Sequence, residues 1–253
     1  MQVNGFDIDI VVQGYPGKAV CHGGLGWSSI VLLRGQGRVA LVDVGSFGIR
    51  KTLIDRLTER GLKPADVTDV ILTHSHHDHS VNWTLFAKSR IVIGRTELDW
   101  SLKAPWGATP VPELYVKELK SWPTMVTAED GDEVFPGMKA HIAPGHTPGG
   151  LVYVLRGADH DVIFTGDAAK NRAELASGDT DMTYDAAVSR SSIAMINALW
   201  RARPGNVLVP GHDLPMVLRD GKPEYIGKRE AAIQAWYDDS LEKTTVISLV
   251  VNA

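Results

Sequence analysis

Between His74 and His79 the chain sets four imidazoles and one carboxylate, in the run Thr73-His74-Ser75-His76-His77-Asp78-His79. An apolar stretch, VTDVILT over 67–73, leads straight into it. Polar groups delivered from a core-type strand are costly to bury unless something binds them. On extended backbone His74 and His76 project to one side, because side chains alternate with a period of two. Two imidazoles can then meet one cation, while Asp78 and His79, past the turn, face a neighbouring position. The fold must therefore bring a strand end to the site.

Three more residues of ligand type follow β-type runs, each beside a glycine that lets the backbone turn sharply. They are His146 in Pro144-Gly145-His146-Thr147-Pro148-Gly149, Asp167 in Thr165-Gly166-Asp167, and His212 in Pro210-Gly211-His212-Asp213. Singly, a Gly-His pair reads as a turn and a Gly-Asp pair as a cap. Behind a dense histidine cluster they read as one site assembled from separate strand ends. Their imidazole and carboxylate donors suit Zn²⁺, with iron or manganese as alternatives.

The rest of the pattern supplies the scaffold. Short β-branched runs occupy 7–12, 28–33 and 38–43, bounded by glycine-containing turns. A helix is expected over 47–60, with Ile49, Leu53 and Leu57 at spacing four and Gly61 as its stop. Residues 95–121 are helical in character but broken by Pro105, Pro110 and Pro112, and read as an insertion over the scaffold. Strands are expected at 138–143, 150–156, 161–165 and 206–210, and a helix at 186–202 with Ile193, Ile196, Leu199 and Trp200 on one face. The tail around 224–241 reads as helical. Strands and helices in this order fit sheets sandwiched between helix layers.

Composition narrows the function classes. The 253 residues allow one large domain or two small ones. With 26 Lys+Arg against 30 Asp+Glu, no global basic field favours nucleic acid or an anionic membrane. No apolar window approaches the about 18 residues of a spanning helix. The start carries no leader pattern, so a cytoplasmic protein is expected. Cys21 is the one cysteine, so no intrachain disulfide ties the chain to an oxidising compartment.

The motifs, in this order from Asp43 to His212, resemble those of the metallo-β-lactamase superfamily. Asp43 matches its first acidic motif; His74, His76, Asp78 and His79 match its HxHxDH signature; His146, Asp167 and His212 match the motifs that follow. The resemblance implies an α+β fold, the four-layer αββα sandwich, as a single domain over 1–253 with a helical insertion around 95–125. It implies two Zn²⁺ ions: the first on His74, His76 and His146, the second on Asp78, His79 and His212, with Asp167 bridging. Asp43 is expected to fix a ligand histidine by a hydrogen bond, and Asp78 to orient a metal-bridging hydroxide for attack on a small ester, lactone or amide. His22, His77, His141 and His160 are left outside the site.

Among the superfamily's members, Gly211-His212-Asp213 and Asp167-Ala168-Ala169 are most similar to the acyl-homoserine lactonases. Those enzymes carry a tyrosine three residues past the bridging aspartate, where this chain has Lys170; Lys170 or Tyr184 is expected to serve instead. Trp27, Trp83 and Trp106 join them as pocket candidates, Trp83 first. Ser80-Val81-Asn82 replaces a common glycine and is expected to reshape the pocket. Competing readings on the same scaffold are a phosphodiesterase or nuclease, a β-lactamase, a mononuclear sulfur dioxygenase, and a metal-binding module without activity. A small-molecule substrate is expected, with no nucleic acid or membrane partner, and the apolar insertion suggests a homo-oligomer.

Overall fold

The structure is a computed structural model that describes residues 1–250. Residues 251–253 of the expected single domain lie outside the described residues. In chain order the strands begin with β1 (Gln2–Val3), β2 (Phe6–Val12), a small hairpin of β3 (Lys18–Ala19) and β4 (Gly23–Gly24), β5 (Ile30–Gly35) and β6 (Arg38–Val42). Helix α1 (Arg50–Glu59) leads to β7 (Asp69–Ile71), then α2 (His77–Ser80), β8 (Arg90–Gly94), α3 (Arg95–Ser101), α4 (Glu113–Lys120) and β9 (Met125–Ala128). The second half runs β10 (Glu133–Phe135), β11 (Met138–Ile142), β12 (Leu151–Leu155), β13 (Val162–Gly166), α5 (Arg172–Ser177), α6 (Ala186–Arg201), β14 (Val207–Pro210), β15 (Met216–Arg219) and β16 (Lys222–Tyr225).

Two seven-stranded sheets result, one ordered β1-β2-β5-β6-β7-β8-β9 and the other β10 through β16. Their strands alternate between two cores. On β12, Leu151, Tyr153 and Leu155 face the other sheet, while Val152 and Val154 face the helices. A strand buried on both sides needs a layer on each face. One outer layer packs Ile193, Ile196 and Trp200 of α6 on the second sheet. The other packs Leu53 and Leu57 of α1, with Val116 and Leu119 of α4, on the first. The architecture is the expected α+β, four-layer αββα sandwich. Helix α6 starts where Asp185 accepts hydrogen bonds from Ala187 N and Val188 N, a side-chain cap.

Three expectations change. The tail is not helical: β16 pairs with β15, Met216 opposite Tyr225, and β17 (Ala232–Ala235) pairs with β18 (Thr245–Ser248) as a separate hairpin. Within the expected helix only 224–225 extend the second sheet, while 232–235 pair inside the separate hairpin, since local propensity is a weak prior against pairing. The 95–125 segment is part of the helix layer, with Val111, Val116 and Leu119 buried. Its exposed large hydrophobics are Trp106 and Leu114, whereas Ile233, Trp236, Tyr237, Leu241, Val246 and Ile247 are exposed in the terminal hairpin region. Asn82 does not reshape a pocket: its buried amide donates to Val44 O, Gly45 O and Ser46 O, stitching the loop after β6. Among the described residues no helix is long and apolar enough to cross a membrane.

Candidate metal centre

Strand direction assembles the site. β6, β7 and β8 are parallel neighbours, and β13 and β14 are parallel with Gly166 opposite Pro210. Parallel strands end on one side, the usual place for ligands in such sheets. Asp43 follows β6, His74 follows β7, Asp167 follows β13 and His212 follows β14. His76 caps α2, which carries Asp78 and His79, and His146 comes from the loop between β11 and β12. Gly166 has φ +48, and a Cβ there would fall 2.4 Å from Thr73 Oγ1. Only glycine lets the two sheets approach this closely at their ends.

All seven predicted ligands converge. Three overlapping triads bring their ligand atoms within 4.8 Å of one another: His74, His76 and His146; His74, His79 and Asp167; Asp78, His79 and His212. His146 Nε2 is 3.0 Å from His76 Nδ1, and His79 Nε2 is 3.3 Å from His212 Nε2. His212 Nε2 lies 3.3 Å from Asp78 Oδ2. Asp167 faces both groups, with Oδ1 3.1 Å from His79 Nε2 and 3.2 Å from His212 Nε2, and Oδ2 3.3 Å from His146 Nε2. Tetrahedral zinc with ligands at about 2.0–2.1 Å separates its donors by about 3.3 Å, so these spacings fit a metal.

Hydrogen bonds behind the ligands turn them inward. Thr73 Oγ1 donates to Asp43 Oδ2 at 2.8 Å, so it accepts from His74 Nδ1 at 3.1 Å and leaves Nε2 facing the cluster. His79 Nδ1 donates to the same Asp43 Oδ2 at 2.8 Å, and His146 Nδ1 donates to Met182 O at 3.1 Å. These are the partners that orient metal-bound histidines. Asp43 holds its position with φ 54, a region sparsely used outside glycine. His74 Nε2 is buried without a hydrogen-bond partner, as an atom awaiting a cation would be.

The charges sort the set in two. Burial holds His74 well below its ordinary value, with neighbouring His79 and His76 adding to it. Burial likewise lowers His76 to about 4 and His146 to about 3. Burial also acts against protonation of His79 and His212, but Asp167 and its neighbouring carboxylates override it, raising His79 well above the ordinary range and His212 to about 9. Asp167 stays ionised despite its burial because His212, His79 and His146 surround it. Asp78 is likewise held low against its burial, by His79 and His212. The carboxylates that keep protons on two imidazoles are suited to keep a divalent cation there instead.

The pocket candidates scatter. Trp83 is core: it is 1% exposed and packs edge-on against Trp122 with ring centroids 5.0 Å apart. The short helical turn after the signature rolls it away from the cluster. Trp106 stands on the surface, 62% exposed, with Lys117 Nζ 4.2 Å from its ring centre. Trp27 stacks on Tyr15 at 4.9 Å and packs toward the first helix-layer core. Lys170 lies with Nζ 2.8 Å from Glu174 Oε1, aligned as an ion pair rather than a hydrogen bond, and its carbonyl accepts from His212 N. Tyr184 is exposed; its ring centre is 6.0 Å from that of Trp100, which is 6.3 Å from His76. Trp100, in the proline-broken stretch after β8, is not among the residues expected from sequence, because nothing in its local pattern separates it from the chain's other tryptophans.

Comparison with known proteins gives a consistent picture. The model of the family described as "Metallo-beta-lactamase superfamily" matches residues 23–225. An N-acyl homoserine lactonase of Bacillus thuringiensis is 25% identical over 164 residues, 64% of this chain and 62% of that protein. Metallo-beta-lactamase domain-containing protein 1 of Rattus norvegicus is 28% identical over 181 residues, 69% of this chain and 61% of that protein. The Xenopus laevis protein of the same name is 42% identical over 65 residues, 26% of this chain and 28% of that protein. The chain thus spans less than two thirds of the length of these relatives. Among solved structures, one described as a probable metal-dependent hydrolase from Staphylococcus aureus superposes with a TM-score of 0.75 at 16% identity, over 91% of this chain and all of that one (100%). An AiiA mutant of B. thuringiensis with N-decanoyl-L-homoserine at its active site gives a TM-score of 0.66 at 19% identity, over 84% of this chain and 94% of that chain. At these identities the likeness establishes the fold.

Proposed function

Because the chain belongs to the metallo-β-lactamase superfamily, we propose that it is a dinuclear metal-dependent hydrolase of a small lactone or ester. The observation that carries this reading is Asp167, whose two oxygens face two different groups of imidazoles. His74, His76 and His146 would hold one zinc ion, Asp78, His79 and His212 the other, and Asp167 both. Metal held there would supply an activated water near neutral pH and a Lewis acid for a carbonyl oxygen. Asp78 has a quarter of its side chain exposed (25%), against 6% for Asp167, so its carboxylate, held ionised by His79 and His212, stands at the open side of the centre, where it would orient an attacking water by accepting its hydrogen bond. Trp100 and Tyr184 flank the His76 side with apolar surface for the substrate's non-reacting part. Lys170 acts through its backbone, holding His212, while Glu174 occupies its ammonium.

A substrate panel tests this. Zinc-loaded protein is offered acyl-homoserine lactones, aryl esters, thioesters, β-lactams and bis-aryl phosphates. The highest kcat/KM is expected on a lactone, with about two metals bound per chain. A phosphodiester preferred over every acyl compound would overturn the substrate class, and a single metal in the active form would overturn the dinuclear reading.

A further inference from the structure

Glu97 lies on α3, outside the ligand set, and nothing in the chemistry above uses it. Its side chain is completely buried, where glutamate is seldom found without a partner. The partners are N–H and O–H donors from two ligand-bearing loops. Oε1 accepts from Ser75 N at 2.9 Å and from Ser75 Oγ at 2.7 Å, and Oε2 accepts from Gly149 N at 3.2 Å. Ser75 stands between His74 and His76, and Gly149 follows His146 in the same glycine-rich loop. The loop rests directly on α3: a Cβ at Gly149 would fall 2.1 Å from Glu97 N. A separate bond, Leu151 N to Thr73 O at 2.8 Å, joins the same two sheets at the strand ends, so the sandwich keeps a tie that does not involve Glu97.

We propose that Glu97 is a positioning residue that holds the His74-Ser75-His76 turn and the His146 loop in register, and so sets metal affinity at the position those three histidines share. The inference rests on reading these residues as a metal centre. His76 and His146 place their nitrogens 3.0 Å apart although they come from different loops, and among the described residues Glu97 is the one carboxylate hydrogen-bonded to both loops. Its two oxygens do separable work. In Glu97→Gln the amide oxygen keeps both Ser75 donors, while the NH₂ meets Gly149 N–H, donor against donor. Only the His146 side is then released. Ser75→Ala removes one of the three donors and leaves both backbone bonds.

The experiment titrates Zn²⁺ and Co²⁺ into metal-stripped full-length protein against a competing chelator, with the visible Co²⁺ spectrum recorded at each step. Wild type is expected to bind in two steps. Glu97→Gln is expected to weaken one step by about ten- to a hundredfold, the range for groups that orient metal ligands. The Co²⁺ spectrum of that step should change and the other step should not. Ser75→Ala should show a smaller loss at the same step. Equal affinities and spectra in Glu97→Gln and wild type would overturn the proposal, as would a uniform loss at both steps, which is what a merely structural role produces. If Glu97→Gln does not fold, unchanged metal affinity in Ser75→Ala overturns it. Wild type that binds neither metal would defeat the metal-centre reading itself, whereas the substrate panel has no bearing on this measurement.

Discussion

β7 and β13 each have two ends, and the contrast between them separates structure from chemistry. At the start of β7, Asp69 is buried, and its oxygens accept from Arg90 Nε at 2.7 Å, Arg38 Nη1 at 3.0 Å and Thr68 Oγ1 at 2.7 Å. Just ahead of β13, Asp161 is buried with Arg203 Nη1 2.7 Å away and Gly157 N donating at 3.1 Å. Past the other ends stand His74, whose buried Nε2 lacks a hydrogen-bond partner, and Asp167, whose oxygens meet only imidazoles. A guanidinium cannot give up its proton, so each carboxylate of the first pair keeps a fixed cationic partner. Asp167 is surrounded by imidazoles, whose protons can be exchanged for a metal. One end of each strand holds the sandwich together, and the other is left able to bind.

Removing charge at the binding end should affect function without affecting the fold. Asp167→Asn is expected to lower kcat/KM on the best substrate by about 10²–10³, with the circular dichroism spectrum of the folded wild type retained. Turnover equal to wild type would contradict a bridging role. The structural end should behave oppositely. Asp69→Ala strands the guanidiniums of Arg38 and Arg90, which are 34% and 33% exposed, so a loss of about 2–3 kcal/mol is expected in urea unfolding, with kcat per folded, metal-loaded molecule unchanged. A drop in kcat there would erase the division between the two ends.

A further contrast lies in the pH profile of chelator-stripped protein. His76 at about 4 and His146 at about 3 lie below the ordinary 6.5, so on this side the unfolded chain binds protons first. Stability from keeping them neutral is full above 6.5 and declines as pH falls toward 4. His212, at about 9 against 6.5, has the opposite sign: its contribution is full below 6.5 and is lost as pH rises through 9. The melting temperature of stripped protein should therefore peak near 6.5 and fall to either side. Metal-loaded protein should lack the alkaline decline, because the cation replaces the proton. A stripped profile flat from pH 5 to 9 would contradict the opposed charges of the two imidazole sets.

Much of the site was legible because its ligands share one local rule. His146, Asp167 and His212 each follow an apolar run beside a glycine, and a strand that ends at a sharp turn presents its next side chain at the sheet's rim. The helices over 50–59 and 186–201 were legible for a similar reason, since Leu53 and Leu57, or Ile193 and Ile196, repeat at helical spacing. Trp83 was misplaced because its direction depends on which way a short turn rolls against Trp122, a contact 39 residues distant in sequence. The tail was misread because its residues favour a helix locally, whereas 222–225 pair with the open edge of β15 and 232–235 with 245–248 in a separate hairpin.

By itself, the sequence determined which atoms are available to bind a metal and on which strand ends they stand, since both follow from residue identity and short-range backbone geometry. Tertiary structure decided what stands behind them. Glu97 reaches Ser75 across 22 residues and Gly149 across 52, and Glu174 takes up the ammonium of Lys170. No local pattern encodes such pairings, because they exist only once the two sheets pack face to face and bring distant loops within hydrogen-bond range.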